Sequence, residues 1–189
     1  MRAVGQNDDF ADSYLVFLLN AFSDTLEGKI NCRGGKYRAG TGSAMYYLWH
    51  ANEIGASPDG RRKGEPLGTN FSTSLFAKTG GPFSIVQSLT KPDFSRAMNG
   101  GPVTLEFSSS MWQAEDAIQK FAKFIKAYIA MGGHQIQLNS VHLEKHKDAQ
   151  KHPEQYERLV VRIWGWSAYF TELDKEYQDH VIARQEYSI

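Results

Sequence analysis

Two short alternating stretches, PVTLEFS at 102–108 and HQIQLNSV at 134–141, flank the clearest amphipathic run in the chain, and this strand–helix–strand order constrains the fold most. In the first, Val103, Leu105 and Phe107 fall on one side of a pleated strand and Thr104, Glu106 and Ser108 on the other. The run at 113–131 repeats Ala117, Phe121, Phe124, Ile125, Tyr128 and Ile129 at helical spacing and stops at Gly132 and Gly133. Strands that alternate with helices predict α/β units and a largely parallel sheet.

The rest of the chain follows the same logic. Residues 8–27 predict a helix, with Asp8 and Asp9 in its first turn, Gly28 as its stop, and Phe10, Tyr14, Phe17, Leu18, Phe22 and Leu26 at helical spacing. The glycine-rich stretch 33–43 leads into AMYYLWHA (44–51), which reads as a buried strand, although a short helix has the same pattern. Pro58-Asp59-Gly60 marks a tight reversal in a turn-dense loop. Further helices are expected over 82–90, around Pro153 to Leu159, and over 173–187 with Tyr177, Val181, Ile182 and Gln185 inward. The apolar run LVVRI (159–163) reads as the last strand. With 189 residues and 41% apolar content, the expectation is one domain spanning 1–189.

Charge narrows the partners. Lys plus Arg equals Asp plus Glu at 21 each, so no positive field draws nucleic acid or an anionic membrane. No run approaches the roughly 18 apolar residues of a membrane span, and MRAVGQNDDF lacks the centre of a secretory signal, which leads us to expect a cytoplasmic protein. A single cysteine, Cys32, has no internal disulfide partner. His142 and His146 would share a helix face, but without an HExxH pattern or a third ligand they read as a solvated pair, and no metal is expected.

The segment Val161 to Phe170 sets Gly165 between Trp164 and Trp166. Taken alone, such a glycine reads as a bulge or a strand end. The longer run VRIWGWSAYFTELDKEYQDHVIARQEYS (161–188) resembles the C-terminal signature of glycyl radical enzymes: Arg-Val-x-Gly-Tyr-Ser, an aromatic patch, and a helix ending Val-Ile-x-Arg. Ile163 replaces Val and Trp166 replaces Tyr. Four upstream stretches fit the same family in the same order: 37–68, GPFSIVQSLTKPD, NGGPVTLEF and GGHQIQLNSV. The resemblance therefore covers nearly the whole chain.

It implies an α/β fold forming the C-terminal portion of a ten-stranded β/α barrel, with a radical loop at 161–170 and a terminal helix at 173–187. In that reading Gly165 bears the radical. Arg162, Trp164, Trp166, Ser167 and Tyr169 support its loop, and with Phe170 the aromatics either enclose it against solvent and dioxygen or are plain core. A carbon-centred radical at glycine is delocalised between an amide nitrogen and a carbonyl, and no side chain crowds it. Arg184 matches a terminal-helix arginine that in some family members points toward the substrate pocket; a surface ion pair is the other reading. Glu106 either lines the lumen or lies on an exposed strand face, and Ser72, His134 and Asn139 sit where they face the same cavity or pack as polar core. The resemblance further implies a separate activating enzyme carrying S-adenosylmethionine and an iron–sulfur cluster, and a cysteine that the glycyl radical oxidises to a thiyl. The reaction class is a lyase or transferase of anaerobic metabolism, pyruvate formate-lyase-like or diol dehydratase-like, acting on a small organic substrate.

One part of the family pattern is missing. The catalytic cysteine loop lies farther upstream of the glycine than the 164 residues that precede Gly165 here, and Cys32 falls where the family has no functional thiol. The expectation is a radical-bearing component that works with a cysteine-bearing barrel part or with a homologous full-length enzyme; a folded remnant without radical chemistry is the alternative. Four or five strands cannot close a barrel that needs about ten, so unpaired edges, an exposed apolar surface and oligomers are expected.

Overall fold

The computed structural model describes residues 2–42, 46–184 and 186–189. The parallel pairing predicted from the alternation is present. Strand β1 (Pro102–Ser108) pairs along its length with β2 (Gln135–Val141), from Pro102 against Gln135 to Ser108 against Val141. Helix α4 (Ala117–Ala130) makes the crossover. Gly133 closes the turn into β2 because a side chain there would enter the ring of Tyr128, 2.3 Å away. The Tyr128 hydroxyl in turn donates to the Gln135 carbonyl at 2.9 Å.

On the other side of β1 lies β5 (Glu186–Tyr187), also parallel, with Glu106 opposite Glu186. The order β2-β1-β5 makes β1 central, and both its faces are buried: Val103, Leu105 and Phe107 on one, Thr104 and Glu106 on the other. Among the described residues the sheet has three strands, short of the ten of the barrel.

One core lies on the Val103 face. It gathers Ile85, Val86 and Leu89 of α3 (Pro82–Leu89), Phe124 and Tyr128 of α4, and Leu19 of α1 (Asp9–Leu26). Burying each large side chain contributes about 1.5–3 kcal/mol. Helix α1 is capped by Asp8 but turned the other way from the expected stripe: Phe10, Tyr14, Phe17, Leu18 and Phe22 face outward at 47–65% exposure. Polar anchors decide the rotation. Asp12, fully buried, pairs with Lys91 at 2.6 Å, and the buried Ser23 hydroxyl faces the Arg96 carbonyl at 3.3 Å. A helix apolar on two faces follows its buried charge, because an unpaired buried carboxylate costs several kcal/mol.

A second core surrounds the glycine segment. It joins Val161, Ile163, Trp164 and Phe170 to Tyr47 and Leu48 of α2 (Tyr46–Trp49), Ala149 of α5 (Leu143–Lys151) and Val181 of α6 (Lys175–Ala183). The strand reading of 44–51 is corrected: adjacent Tyr47 and Leu48 both point inward, which a helical turn allows and a strand's alternation does not. Residues 44 and 45 of that stretch, with residue 43 before it, lie outside the described residues, as does Gln185. The helix expected from Pro153 shrinks to the 3-10 turn Pro153–Gln155, and the longer helix α5 precedes it. Proline removes a backbone donor, so α5 stops short of it. Helix α6 ends at Ala183 rather than 187, because Glu186 and Tyr187 are taken up by pairing with β1.

Candidate functional site: the glycine hairpin

Instead of a single strand ending at Ile163, residues 160–169 form a hairpin. Strand β3 (Val160–Arg162) pairs antiparallel with β4 (Ser167–Tyr169), and the Ile163 N–H donates to the Trp166 carbonyl at 2.9 Å. Gly165 sits at the tip with φ +79°, in the left-handed region. A Cβ built there meets nothing within 4 Å, so backbone conformation and not crowding favours glycine. The expected enclosure is only half made. Trp164 is buried beside the glycine and Phe170 is buried at the open end of the hairpin, where its N–H donates to the Leu159 carbonyl, but Gly165 is exposed, Trp166 is half-buried and Tyr169 is 43% exposed. A tip that projects past its core is covered from one side only.

Arg162 and Ser167 brace the hairpin. The Arg162 guanidinium donates to the Ser167 hydroxyl at 3.2 Å and to the Gln137 side-chain carbonyl on β2 at 3.3 Å. Arg184 follows α6 and is buried. Its Nη1 donates to Glu106 Oε1 and to the Arg162 carbonyl, each at 2.9 Å, and its Nη2 to the Ile163 carbonyl at 3.4 Å. Its guanidinium carbon lies 4.6 Å over the Trp164 ring. Glu106 Oε1 also accepts from Asn139 Nδ2 at 3.0 Å. Thus the surface ion pair considered for Arg184 is a buried one, and Glu106 is not on an exposed face.

These residues border two cavities. One of about 40 Å³ is lined by Ser72, Thr104, Glu106, Trp164, His180 and Arg184, with room for a single water. Glu106 Oε2 and Arg184 Nε, both buried, have no hydrogen-bond partner among the described residues. The other is an open groove of about 450 Å³ at the carboxyl ends of β1 and β2, where Glu106, Asn139, Lys145, Arg162, Ser167 and Arg184 meet. His134 is not brought in; it stacks on Phe94 at 5.9 Å near the opposite end of β2.

A family model described as "Glycine radical" matches residues 70–171, which take in the whole hairpin tip. The chain belongs to the glycine radical family. Members carry a glycyl radical made after translation by a radical S-adenosylmethionine enzyme. The chain is 31% identical over 182 residues to trans-4-hydroxy-L-proline dehydratase of Clostridioides difficile, covering 96% of this chain and 23% of that one. It is 34% identical over 191 residues to (2S)-3-sulfopropanediol dehydratase of Klebsiella oxytoca, covering 98% and 23%. Among solved structures, the glycerol-bound B12-independent glycerol dehydratase of Clostridium butyricum superposes with a TM-score of 0.92 at 30% identity, over 98% of this chain and 24% of that one. The chain therefore spans about a quarter of the length of the glycyl radical enzymes it matches.

Three side chains near the glycine hairpin escaped the sequence reading. The Tyr47 hydroxyl lies 3.4 Å from His180 Nδ1, and its ring packs edge-on against Trp164. Burial pushes Tyr47 up to about 12, and burial with the Arg184 charge pushes His180 down to about 3, so the imidazole is neutral at ordinary pH. The available signal was His180, one helical turn before Arg184. The third is His146, which is not half of a solvated pair: it is buried edge-on to Phe170, and its Nδ1–H donates to the His142 carbonyl at 3.0 Å. His142 instead caps α5, accepting from the Lys145 N–H. Among the described residues no group of three or more His, Cys, Asp or Glu is placed to hold a metal. Cys32 is an exposed free thiol, and no helix among the described residues is long and apolar enough to cross a membrane.

Proposed function

We propose that this chain is the radical-bearing component of a glycyl radical enzyme, with the unpaired electron stored at the α-carbon of Gly165. The observation that carries the reading is a glycine in left-handed backbone at an exposed hairpin tip, inside the span that matches the family. An activating enzyme with S-adenosylmethionine and an iron–sulfur cluster supplies the hydrogen abstraction. The chain's own residues do the rest: buried Trp164 covers the glycine from the core side, while Arg162 and Ser167 brace the two strands.

The thiyl that attacks substrate belongs, in this reading, to a separate cysteine-bearing part. Cys32 is exposed and lines neither cavity beside the hairpin. The substrate is a small organic molecule that loses a carbon–heteroatom or carbon–carbon bond, in keeping with relatives named as dehydratases and a decarboxylase. The groove of about 450 Å³ has the capacity for such a ligand, with Glu106 and Arg184 at its base. Balanced charge and a lone thiol support a cytoplasmic setting.

Anaerobic incubation of the chain with a radical S-adenosylmethionine activating enzyme of the family, S-adenosylmethionine and reductant should give a glycyl doublet in electron paramagnetic resonance. Air should then cut the chain at residue 165, and Cys32→Ser should keep the doublet. A chain that stays silent with an enzyme able to activate a full-length relative overturns the reading.

A further inference from the structure

The glycine hairpin is separate from the parallel sheet. Strand β3 pairs with β4 alone, and its apolar side belongs to a core distinct from that on the Val103 face of β1. Polar ties therefore decide where the tip sits relative to the sheet, and the best buried of them run through Arg184.

We propose that Arg184 is the positioning residue of the radical-bearing hairpin, and that Glu106 fixes Arg184 to the sheet. This rests on the reading of Gly165 as the radical site. One guanidinium engages the three residues that precede Gly165: it donates to the carbonyls of Arg162 and Ile163 and covers the ring of Trp164. A planar fork of five N–H donors can do this, whereas a lysine ammonium, a single point of charge, cannot hold all three at once. The same Nη1 that holds the Arg162 carbonyl is bound to Glu106 on β1, which is itself held by Asn139 on β2. The chain of contacts thus runs from two strands of the sheet to the base of the tip. Strand register brings it about, because Glu186 lies opposite Glu106, which sets Arg184 just before the pairing and beside the carboxylate. Both side chains are at least nine-tenths buried, at 8% and 4% exposure, which strengthens these bonds relative to exposed ones. Hydrogen transfer to and from Gly165 needs its α-carbon held within a fraction of an ångström, and Arg184 supplies that hold.

Residue-resolved amide hydrogen exchange on the full 189-residue chain tests the assignment. Arg184→Met alone strands the Glu106 carboxylate, so Glu106→Gln/Arg184→Met is the decisive variant, with Arg184→Lys as the conservative one. In the double variant the Ile163 amide, which closes the hairpin, should exchange at least about tenfold faster while amides of β1 and β2 keep native protection. Arg184→Lys should fall between native and double variant. After activation, the glycyl doublet of the double variant should change in line shape. Equal acceleration in hairpin and sheet, native protection at Ile163, or an unaltered line shape would overturn the proposal. A native chain that never forms a radical would defeat the functional reading instead, and the exchange result would still decide what Arg184 holds.

Discussion

Gly165→Ala separates what the backbone needs from what the chemistry needs. At φ +79° an alanine pays the left-handed penalty, about 1–2 kcal/mol, because its Cβ crowds its own carbonyl. Crowding adds little to this, since among the described residues nothing beyond its two chain neighbours lies within 4 Å of the new methyl. Unfolding followed in urea should therefore show a loss of that size, with the melting temperature lower by roughly 2–8 °C. Gly165→Asn should recover part of it, because asparagine tolerates the left-handed region better. Neither variant should give the doublet. Gly133→Ala is the opposite case: its Cβ would stand 2.3–2.5 Å from atoms of the Tyr128 ring, a collision typically worth about 1–3 kcal/mol with no bearing on the radical. A loss above about 4 kcal/mol at Gly165 would mean that the tip is packed rather than open. A doublet surviving in Gly165→Ala would move the radical elsewhere.

Acid should weaken the fold before carboxylates titrate. His180 is held near 3 when folded and returns to about 6.5 when unfolded, so below pH 6.5 the unfolded chain binds a proton that the native chain refuses. Stability then falls as pH drops, by up to about 1.4 kcal/mol per unit, and His146, also lowered by burial, acts in the same direction. Urea midpoints between about pH 6.5 and pH 5 should show this slope, and His180→Gln should reduce it; an unchanged slope would mean that the folded imidazole is already charged. The outward face of α1 should drive self-association of the isolated chain. Light scattering should report a dimer or larger species, and Phe17→Asp with Leu18→Lys, both at more than 60% exposure, should disperse it without loss of stability. A monodisperse native monomer would refute that expectation.

Periodicity made β1, β2 and α4 legible, because each has one strongly apolar face and a clear stop. It failed for α5, whose LEKHKDAQK has only two apolar residues and buries His146 and Ala149; its markers were the cap at His142 and the stop before Pro153. It misled for α1, where two faces are apolar and a buried Asp12 makes the choice. At the site, the glycine and its aromatic neighbours stand out only through the resemblance to the family, since alone such a glycine reads as a bulge or a strand end. The Glu106–Arg184 pair could not, because 78 residues separate its members and only the parallel register of β5 brings them together. Local neighbours on a presumed helix held no acid for Arg184, and the true partner lies across the sheet.

A stored glycyl radical sets two demands that pull in opposite directions. Hydrogen abstraction needs the reacting atoms within about 3–3.5 Å, which requires open access to the α-carbon. Storage needs the same carbon shut away from solvent and dioxygen. The hairpin answers the first demand by geometry, since the left-handed turn puts Gly165 at the outermost point of a two-stranded tip. It answers part of the second, through the buried Trp164 indole beside the glycine. Under the proposed function the remaining cover comes from the cysteine-bearing part. A tip covered in that way must keep its position while its surroundings change, and that explains why its base is tied to the sheet by buried charge-assisted bonds rather than by apolar contact alone. Apolar contacts slide at little cost, whereas Arg184 cannot leave the Arg162 and Ile163 carbonyls without stranding buried polar groups.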